Sequence, residues 1–600
     1  MRRVRWHQAL AAAALALMAG APGAALPAEA EALLAKARAA LARSDGLGAE
    51  IYLRRALGAG AQRSEVAAAM GAALIDQDRL ADARTWLAPG QFAVGQELDG
   101  WRTLAWLERI SGDPVAAGRA YDRALAVAPK DSQTWVEIAQ LRYAGGEQWQ
   151  AIEAANRALA FGPRNPRAAE LRAQLLRDQA GGEATLAIYA QALSNAPNDY
   201  GLLLGQAATL GELGRAKAMI AALGKARGTG QGLYLQAVLA ARGGDVELAR
   251  ALINRAGRGY PRTAAAQELR ALLELESGNA NAAAGPLLAQ LDQQPANQRL
   301  ALLGAKALYE SGQYQALVER FSLSGAAPDA PVYLLTLLGR AQEALGNRAA
   351  AAAWLDRAAA ATGREVAPLA AANPGDAGSV AAAVAQVRQL LAARNPAAAA
   401  QVAESARKAH FGSADAQLLA GDAQLALGNG EAALDRYVAA SQIRYTDALL
   451  LRMAQVLEQQ GRPGEAGAAT ARYLAAFPSS RLAARLAANQ RALAGDWKTA
   501  RILLEHLHQQ GGGRDARLLA DLAFVQLRDG NRIAALASAR AAWQLQPGSA
   551  VSAQALGLAL VANREQPLAA RQLLDQARAL GGDNPLLAKA RKELLAHSPG

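Results

Sequence analysis

Residues 123–131 read RALAVAPKD, and residues 157–165, which begin 34 positions later, read RALAFGPRN. Both stretches follow an arginine with Ala-Leu-Ala and end in a proline, a cation and a short polar residue. Similar stretches at a fixed interval of 20 to 50 residues indicate a repeated structural unit. A chain of 600 residues is too long for one ordinary hydrophobic core, so an array of such units is expected.

The same interval relates the whole segments 98–131 and 132–165. Large apolar residues at the fourth and seventh places lie one turn apart on one face of a predicted helix. Alanines in a second predicted helix allow close approach of neighbouring helices, and a proline ends that helix because it lacks the N–H donor. Each segment is therefore predicted to be a helical hairpin that buries its apolar face only against its neighbours. The residues that carry this pattern are Trp101, Leu104, Ala117, Tyr121, Ala124 and Pro129 in the first segment and Trp135, Ile138, Ala151, Ala158 and Pro163 in the second.

This pattern resembles that of the tetratricopeptide repeat (TPR). The resemblance implies an all-α fold, a right-handed α-solenoid of about sixteen hairpins. About ten hairpins are predicted over 26–365, of which 200–229 is four residues short and degenerate. Two prolines and two glycines predict a loop or break at 366–379. About six further hairpins follow over 380–583, and the residues 584–600 are predicted to form a capping helix and tail.

The amino terminus has the pattern of a secretory signal peptide over residues 1–25. Arg2, Arg3 and Arg5 precede an apolar run from Ala9 to Ala19, and small residues and prolines follow. The run is too short to span a bilayer, and no later run reaches the required length of about 18 residues. The chain has no cysteine and hence no lipidation signal of the bacterial type. A periplasmic or otherwise exported protein is expected, without a transmembrane segment in the mature chain; an uncleaved amphipathic first helix is the alternative.

Composition and spacing give no catalytic, cofactor-binding or metal-ligating constellation. The absence of cysteine excludes Cys nucleophiles and Cys-ligated metals. The formal net charge is +12, but the cations alternate with acidic residues along most helices, as on a solvated surface. No cofactor, no enzymatic activity and, because of the export signal, no nucleic-acid partner are expected. An enzyme hidden in the array is the alternative of another class, although no stretch remains for a separate catalytic domain.

The resemblance implies that the first helix of each hairpin lines a groove for partners. A tryptophan beside arginines is typical of binding hot spots; packing of Trp106 into the neighbouring hairpin is the alternative. The predicted partners are other envelope proteins or acidic peptides, or an anionic polysaccharide. The predicted function is a non-enzymatic scaffold for protein–protein interaction in the bacterial cell envelope, and the alternative is a component of an exopolysaccharide synthesis and export system. The predicted groove residues are Arg102, Trp106, Arg109, Gln140, Tyr143, Gln174 and Arg177.

If residues 1–25 are a cleaved signal, the mature protein should begin between Gly23 and Glu31. It should then be recovered in the periplasmic fraction. Amino-terminal sequencing of the purified protein, combined with cell fractionation, measures both. Recovery of Met1 or Arg2 on a cytosolic protein would contradict the prediction.

Overall fold

The computed structural model describes residues 27–257, 263–295, 297–327, 330–360 and 378–597. These residues form 33 α-helices and two short 3-10 helices, and no strand occurs among them. The prediction of an all-α fold is therefore confirmed. The predicted signal peptide and most of the predicted break at 366–379 lie outside the described residues.

The helices come in sixteen consecutive pairs, each an antiparallel hairpin, followed by a single last helix. The predicted hairpins are thereby confirmed, and the resemblance to tetratricopeptide repeats holds for the fold. The last helix lies within 584–600, and its role as a cap stays a prediction. The helices are α1 Ala28–Leu41, α2 Gly46–Gly58, α3 Arg63–Asp76, α4 Leu80–Leu87, α5 Glu97–Ile110, α6 Pro114–Val127, α7 Ser132–Ala144, α8 Gln148–Phe161, α9 Pro166–Ala180, α10 Gly182–Asn195, α11 Tyr200–Glu212, α12 Ala216–Leu223, α13 Gly230–Arg242, α14 Val246–Ala256, α15 Ala264–Glu276, α16 Ala280–Gln293, α17 Gln298–Glu310, α18 Tyr314–Ala326, α19 Val332–Ala344, α20 Arg348–Ala360, α21 Val380–Ala392, α22 Pro396–Ala409, α23 Ala414–Ala426, α24 Gly430–Ile443, α25 Asp447–Gln459, α26 Pro463–Ala476, α27 Arg481–Leu493, α28 Trp497–Gln509, α29 Ala516–Arg528, α30 Arg532–Leu545, α31 Ala550–Asn563, α32 Pro567–Gly581 and α33 Pro585–His597.

The chain divides into two compact units. The first contains the described residues up to Gly145 together with 150–168, and the second contains 146–149 and the described residues from Ala169 onward. In the first unit, buried residues of α1 to α5 form one apolar cluster, and α5 to α7 form another. In the second unit, several separate apolar clusters follow one another along the hairpins. The separation into arrays at 26–365 and 380–583 stays a prediction.

Local signals in the sequence set where the helices begin and end. The side chains of Asp131, Asp199 and Ser413 accept backbone N–H groups in the first turns of α7, α11 and α23, which satisfies donors that a helix start leaves open. Pro129 and Pro163 follow two residues after α6 and α8, where a helix cannot continue through proline. The turn inside each of the sixteen hairpins contains a residue with positive φ. Glycine fills this place in twelve turns, because it adopts the left-handed conformation without a steric cost.

A contact between a small and a large residue holds the two helices of a hairpin together. Gly421 is the eighth residue of the repeat 414–447, and Tyr437 is the twenty-fourth. A Cβ atom added to Gly421 would lie 2.3 Å from the Tyr437 ring. The same places bring Gly339 close to Leu355 and put Ala105 and Tyr121 in one buried cluster. Four alanines of the predicted small-residue pattern, Ala117, Ala124, Ala151 and Ala158, are fully buried.

Replacement of Gly421 by alanine should destabilise α23 and α24 by about 1–3 kcal/mol, because the new methyl group overpacks the contact with Tyr437. Hydrogen exchange of the amides in these two helices measures the effect. Gly467 in α26 is the matched control, since a Cβ there meets nothing within 4 Å. Gly467→Ala should be neutral or stabilising by up to about 1 kcal/mol. Equal exchange in the two variants would contradict the proposed contact.

Within the second unit, residues that are about 263 positions apart in the chain contact each other. The Gln179 side-chain amide donates to the Gln442 carbonyl, and the Tyr445 backbone N–H donates to the Asp178 carbonyl over 3.1 Å. These hydrogen bonds connect the end of α9 with the end of α24 and the segment before α25. The hairpins of this unit therefore contact more than their immediate neighbours.

The turn between α9 and α10 lies directly against the last residue of α26. A Cβ atom on Gly181 would lie 2.2 Å from the carbonyl oxygen of Ala476. Gly181 also has a φ of +84°, so both its backbone conformation and its surroundings require glycine.

His410, which follows α22, joins two other segments of the second unit. Its Nδ1 lies 2.9 Å from the Glu147 carboxylate and its Nε2 lies 2.8 Å from the Gly378 carbonyl. Both partners are acceptors, so both hydrogen bonds form only when the imidazole carries two protons. The hydrogen bond with Gly378, and then Glu147, raises the pKa of His410 above its ordinary value of 6.5, although partial burial acts in the opposite direction. Among the described residues, Glu147 is the only charged group in contact with this imidazole.

Two backbone amides beside this imidazole report on the same contact. The N–H of Trp149 donates to the Gly412 carbonyl, and the N–H of Ala414 donates to the Gln148 side chain, each over 3.0 Å. The pKa of the His410 imidazole is higher in the folded state than in the unfolded state. Its stabilising contribution is therefore complete below about pH 6.5 and is lost as the pH rises through the folded-state pKa.

Raising the pH from 6 to 8 should therefore lower the exchange protection of the Trp149 and Ala414 amides, by up to about 1 kcal/mol. In His410→Gln the protection of both amides should be low and independent of pH. Hydrogen exchange, corrected for the intrinsic effect of pH, measures this. The Tyr445 amide is the internal control, because no titratable side chain takes part in its hydrogen bond. A wild-type profile without pH dependence would contradict the assignment.

Candidate partner-binding surfaces

The structure places five of the predicted groove residues on α5 and α7 of the first unit. Arg109 Nη1 lies 3.5 Å from Gln140 Oε1, so these two side chains do come together. Tyr143 is 39% exposed. Trp106 is half-buried and packs against the apolar cluster of α1 to α5, as in the alternative stated for it. Its role as a binding anchor stays a prediction without support from its packing.

Arg102, also on α5, forms an ion pair with Glu137 on α7. The two side chains are only 23% and 17% exposed. Burial lowers the pKa of Arg102, but the hydrogen bond and the charge of Glu137 outweigh it and leave the pKa raised. Since its charge is already balanced by a carboxylate, Arg102 is less suited to an acidic ligand than the sequence pattern predicts.

The remaining two predicted groove residues lie on α9 in the second unit. Gln174 donates to Glu170 one turn earlier on the same helix, over 3.3 Å. Arg177 forms an ion pair with Glu212 on α11, with 3.6 Å between the charged atoms. Arg177 is therefore balanced by a carboxylate of the next first helix, as is Arg102.

The same ion pairing recurs between the first helices of other consecutive hairpins. Sequence reasoning missed these pairs, although opposite charges about 30 to 36 positions apart at first-helix places were a visible signal. In each of these pairs the cation is already balanced by a carboxylate of an adjacent hairpin. The pairs are Glu268 with Arg299, Glu276 with Lys306, Asp422 with Arg452, and Arg485 with Asp521.

Asp422 and Arg452 form the most buried of these pairs. Their side chains are 10% and 4% exposed, and the guanidinium contacts both carboxylate oxygens. The Tyr437 hydroxyl donates to the same carboxylate over 2.8 Å. This closed network links α23, α24 and α25 and is a structural feature, since its hydrogen-bonding groups are satisfied by one another.

A groove of about 560 Å³ lies along the first helices α13, α15 and α17 of the second unit. We call it the α13–α17 groove. Its apolar floor is formed by Tyr234, Val238, Ala241 and Leu272, and its sides carry the ion pair of Glu268 with Arg299. Tyr234, Val238 and Ala241 are spaced at i, i+4 and i+7, so they lie on one face of α13. A ligand with apolar side chains fits this floor better than a polyanion does.

The described residues contain no group of three or more His, Asp or Glu side chains that could hold a metal ion. None of the helices among them combines the length and the apolar character that crossing a bilayer requires.

Comparisons with known proteins reveal similar structures only. No family model and no curated relative matches the sequence. The crystal structure of the Cut9–Hcn1 hetero-tetramer of APC/C is similar with a TM-score of 0.41 and 12% identity, over 95% of this chain and 97% of that chain. A tetratricopeptide repeat protein from Parabacteroides merdae has a TM-score of 0.34 and 18% identity, over 41% and 99% of the two chains. A human IFIT1 dimer with PPP-AAAA has a TM-score of 0.36 and 15% identity, over 62% and 90%. These likenesses concern the fold alone.

Proposed function

We propose that this chain is an exported, non-enzymatic scaffold that binds a protein partner in the bacterial cell envelope. The observation that carries the proposal is the α13–α17 groove, whose floor is apolar and whose charged residues Glu268 and Arg299 form an ion pair with each other. A floor of this kind is suited to apolar side chains of a protein segment, which gain free energy by leaving water. Export is supported by the sequence pattern of residues 1–25 alone.

The alternative, a component of an exopolysaccharide system that contacts an anionic polymer, has weaker support. A polyanion requires accessible cations, whereas on the predicted groove face and beside the α13–α17 groove Arg102, Arg177 and Arg299 are each paired with a carboxylate. Displacing such a carboxylate would leave it without its partner, which costs free energy.

Photo-crosslinking in living cells tests the binding site. A photoreactive amino acid at Val238 should give a covalent product with an envelope protein after illumination, because Val238 lies on the floor of the α13–α17 groove. Adding Leu272→Glu should abolish the product, since a buried unpaired carboxylate opposes binding of an apolar side chain.

The same photoreactive amino acid at Leu323 is the matched control. Leu323 is 87% exposed and lies on α18, the second helix of its hairpin. Products of equal yield at the two positions, or a product at Val238 that survives Leu272→Glu, would contradict the proposed site. A polysaccharide instead of a protein attached at Val238 would favour the alternative function.

A further inference from the structure

The degenerate hairpin 200–229 differs from its neighbours in its second helix. α12 spans eight residues, Ala216–Leu223, whereas α10 and α14, the second helices of the two adjoining hairpins, span fourteen and eleven residues. A five-residue 3-10 helix, Gly224–Gly228, replaces the missing turns. Because α12 ends early, it covers less of the following hairpin than a full second helix would.

A groove of about 680 Å³ opens between α12, α13 and α14. We call it the α12–α14 groove, and it lies on a different face of α13 from the α13–α17 groove. Leu248 on its wall is 48% exposed, so its side chain is accessible to a ligand. The apolar residues that form the walls are Ile220, Leu239, Leu248 and Leu252, and the charged ones are Arg227 and Arg255.

Both charged residues that line this groove, Arg227 and Arg255, are cations. Between Glu212 and Asp245 the sequence has five cations and no acidic residue. Arg215 is the cation among these that pairs with a carboxylate, that of Glu183. Among the described residues, no carboxylate lies within ion-pair distance of Arg227 or Arg255. This differs from Arg102, Arg177 and Arg299 on first helices, each of which pairs with a carboxylate of an adjacent hairpin.

An apolar groove with two unbalanced guanidinium groups is complementary to a ligand that is apolar on one side and carries carboxylates at its edge. Arginine binds carboxylates through two parallel hydrogen bonds, which adds orientation to the electrostatic attraction. Arginines next to an apolar contact are also typical of the residues that dominate protein interfaces.

We propose that the α12–α14 groove binds an acidic amphipathic protein segment. Its apolar side chains contact Leu239, Leu248 and Leu252, and its carboxylates pair with Arg227 and Arg255. This surface is independent of the α13–α17 groove and would allow the scaffold to hold a second partner.

Fluorescence anisotropy with the full-length protein tests the proposal. The probe is a labelled helical peptide of 16 residues with leucines on one face and glutamates at its borders. The double variant Arg227→Glu with Arg255→Glu should weaken its binding at least tenfold. Leu248→Gln should weaken peptide binding several-fold. Because Leu248 is half-exposed, this substitution should leave the fold intact. Raising the salt concentration from 50 to 300 mM should also weaken peptide binding, because exposed charges are screened.

The matched control variant is Arg119→Glu with Arg123→Glu on α6, which makes the same charge change at two exposed positions. It should leave binding unchanged, as should Leu272→Glu in the α13–α17 groove. A control peptide with lysine in place of glutamate should not bind.

Equal binding by the wild-type protein and the double variant would overturn the proposal, as would equal binding of the two peptides. Vesicles of phosphatidylglycerol distinguish a protein ligand from an anionic lipid surface. Sedimentation with these vesicles that depends on Arg227 and Arg255, without binding of the glutamate peptide, would also overturn it.

Discussion

One packing contact, a small residue of the first helix against a large residue of the second, determines the geometry of each hairpin. Where Gly421 faces Tyr437 and Gly339 faces Leu355, a single added carbon atom has no room. The distance and angle between the two helices are therefore nearly fixed. Since the contact recurs with the 34-residue period, successive hairpins have similar geometry and can stack in the same way. The left-handed residue in every hairpin turn supports this repetition by reversing the chain at the same place.

Repetition of one geometry has two consequences at longer range. Charges on the first helix of one hairpin reach opposite charges on the next, as Arg102 reaches Glu137 and Asp422 reaches Arg452. In the second unit, residues 263 positions apart also contact each other, as Gln179 contacts Gln442. Where the repetition is imperfect, packing is incomplete, and the shortened helix α12 leaves an apolar groove. The regular part of the array thus explains its stability, whereas a departure from regularity provides a binding surface.

The sequence predicted the architecture well because the fold depends on short-range periodicity. The places of Ala151 and Ala158 in the repeat were sufficient to predict their burial. The partner-binding groove was less predictable. The place of a residue in the repeat does not tell whether its side chain already forms an ion pair or packs against another part of the chain. Arg102 is paired with a residue 35 positions later, and Trp106 packs against the cluster of α1 to α5. The four-residue deletion in 200–229 was visible in the sequence, but the groove beside it requires knowledge of where α12 ends.

Chemical cross-linking between residues 179 and 442 tests most directly whether repeated hairpin geometry brings distant parts of the second unit together. The chain has no cysteine, so Gln179→Cys with Gln442→Cys introduces the only two thiols. A short bismaleimide should link them within one molecule in high yield, because the Gln179 side chain contacts residue 442. Gln179→Cys with Gln315→Cys, which places the second thiol on α18, serves as the control and should give little internal product. Equal yields in the two double variants, or no internal cross-link between 179 and 442, would contradict the account.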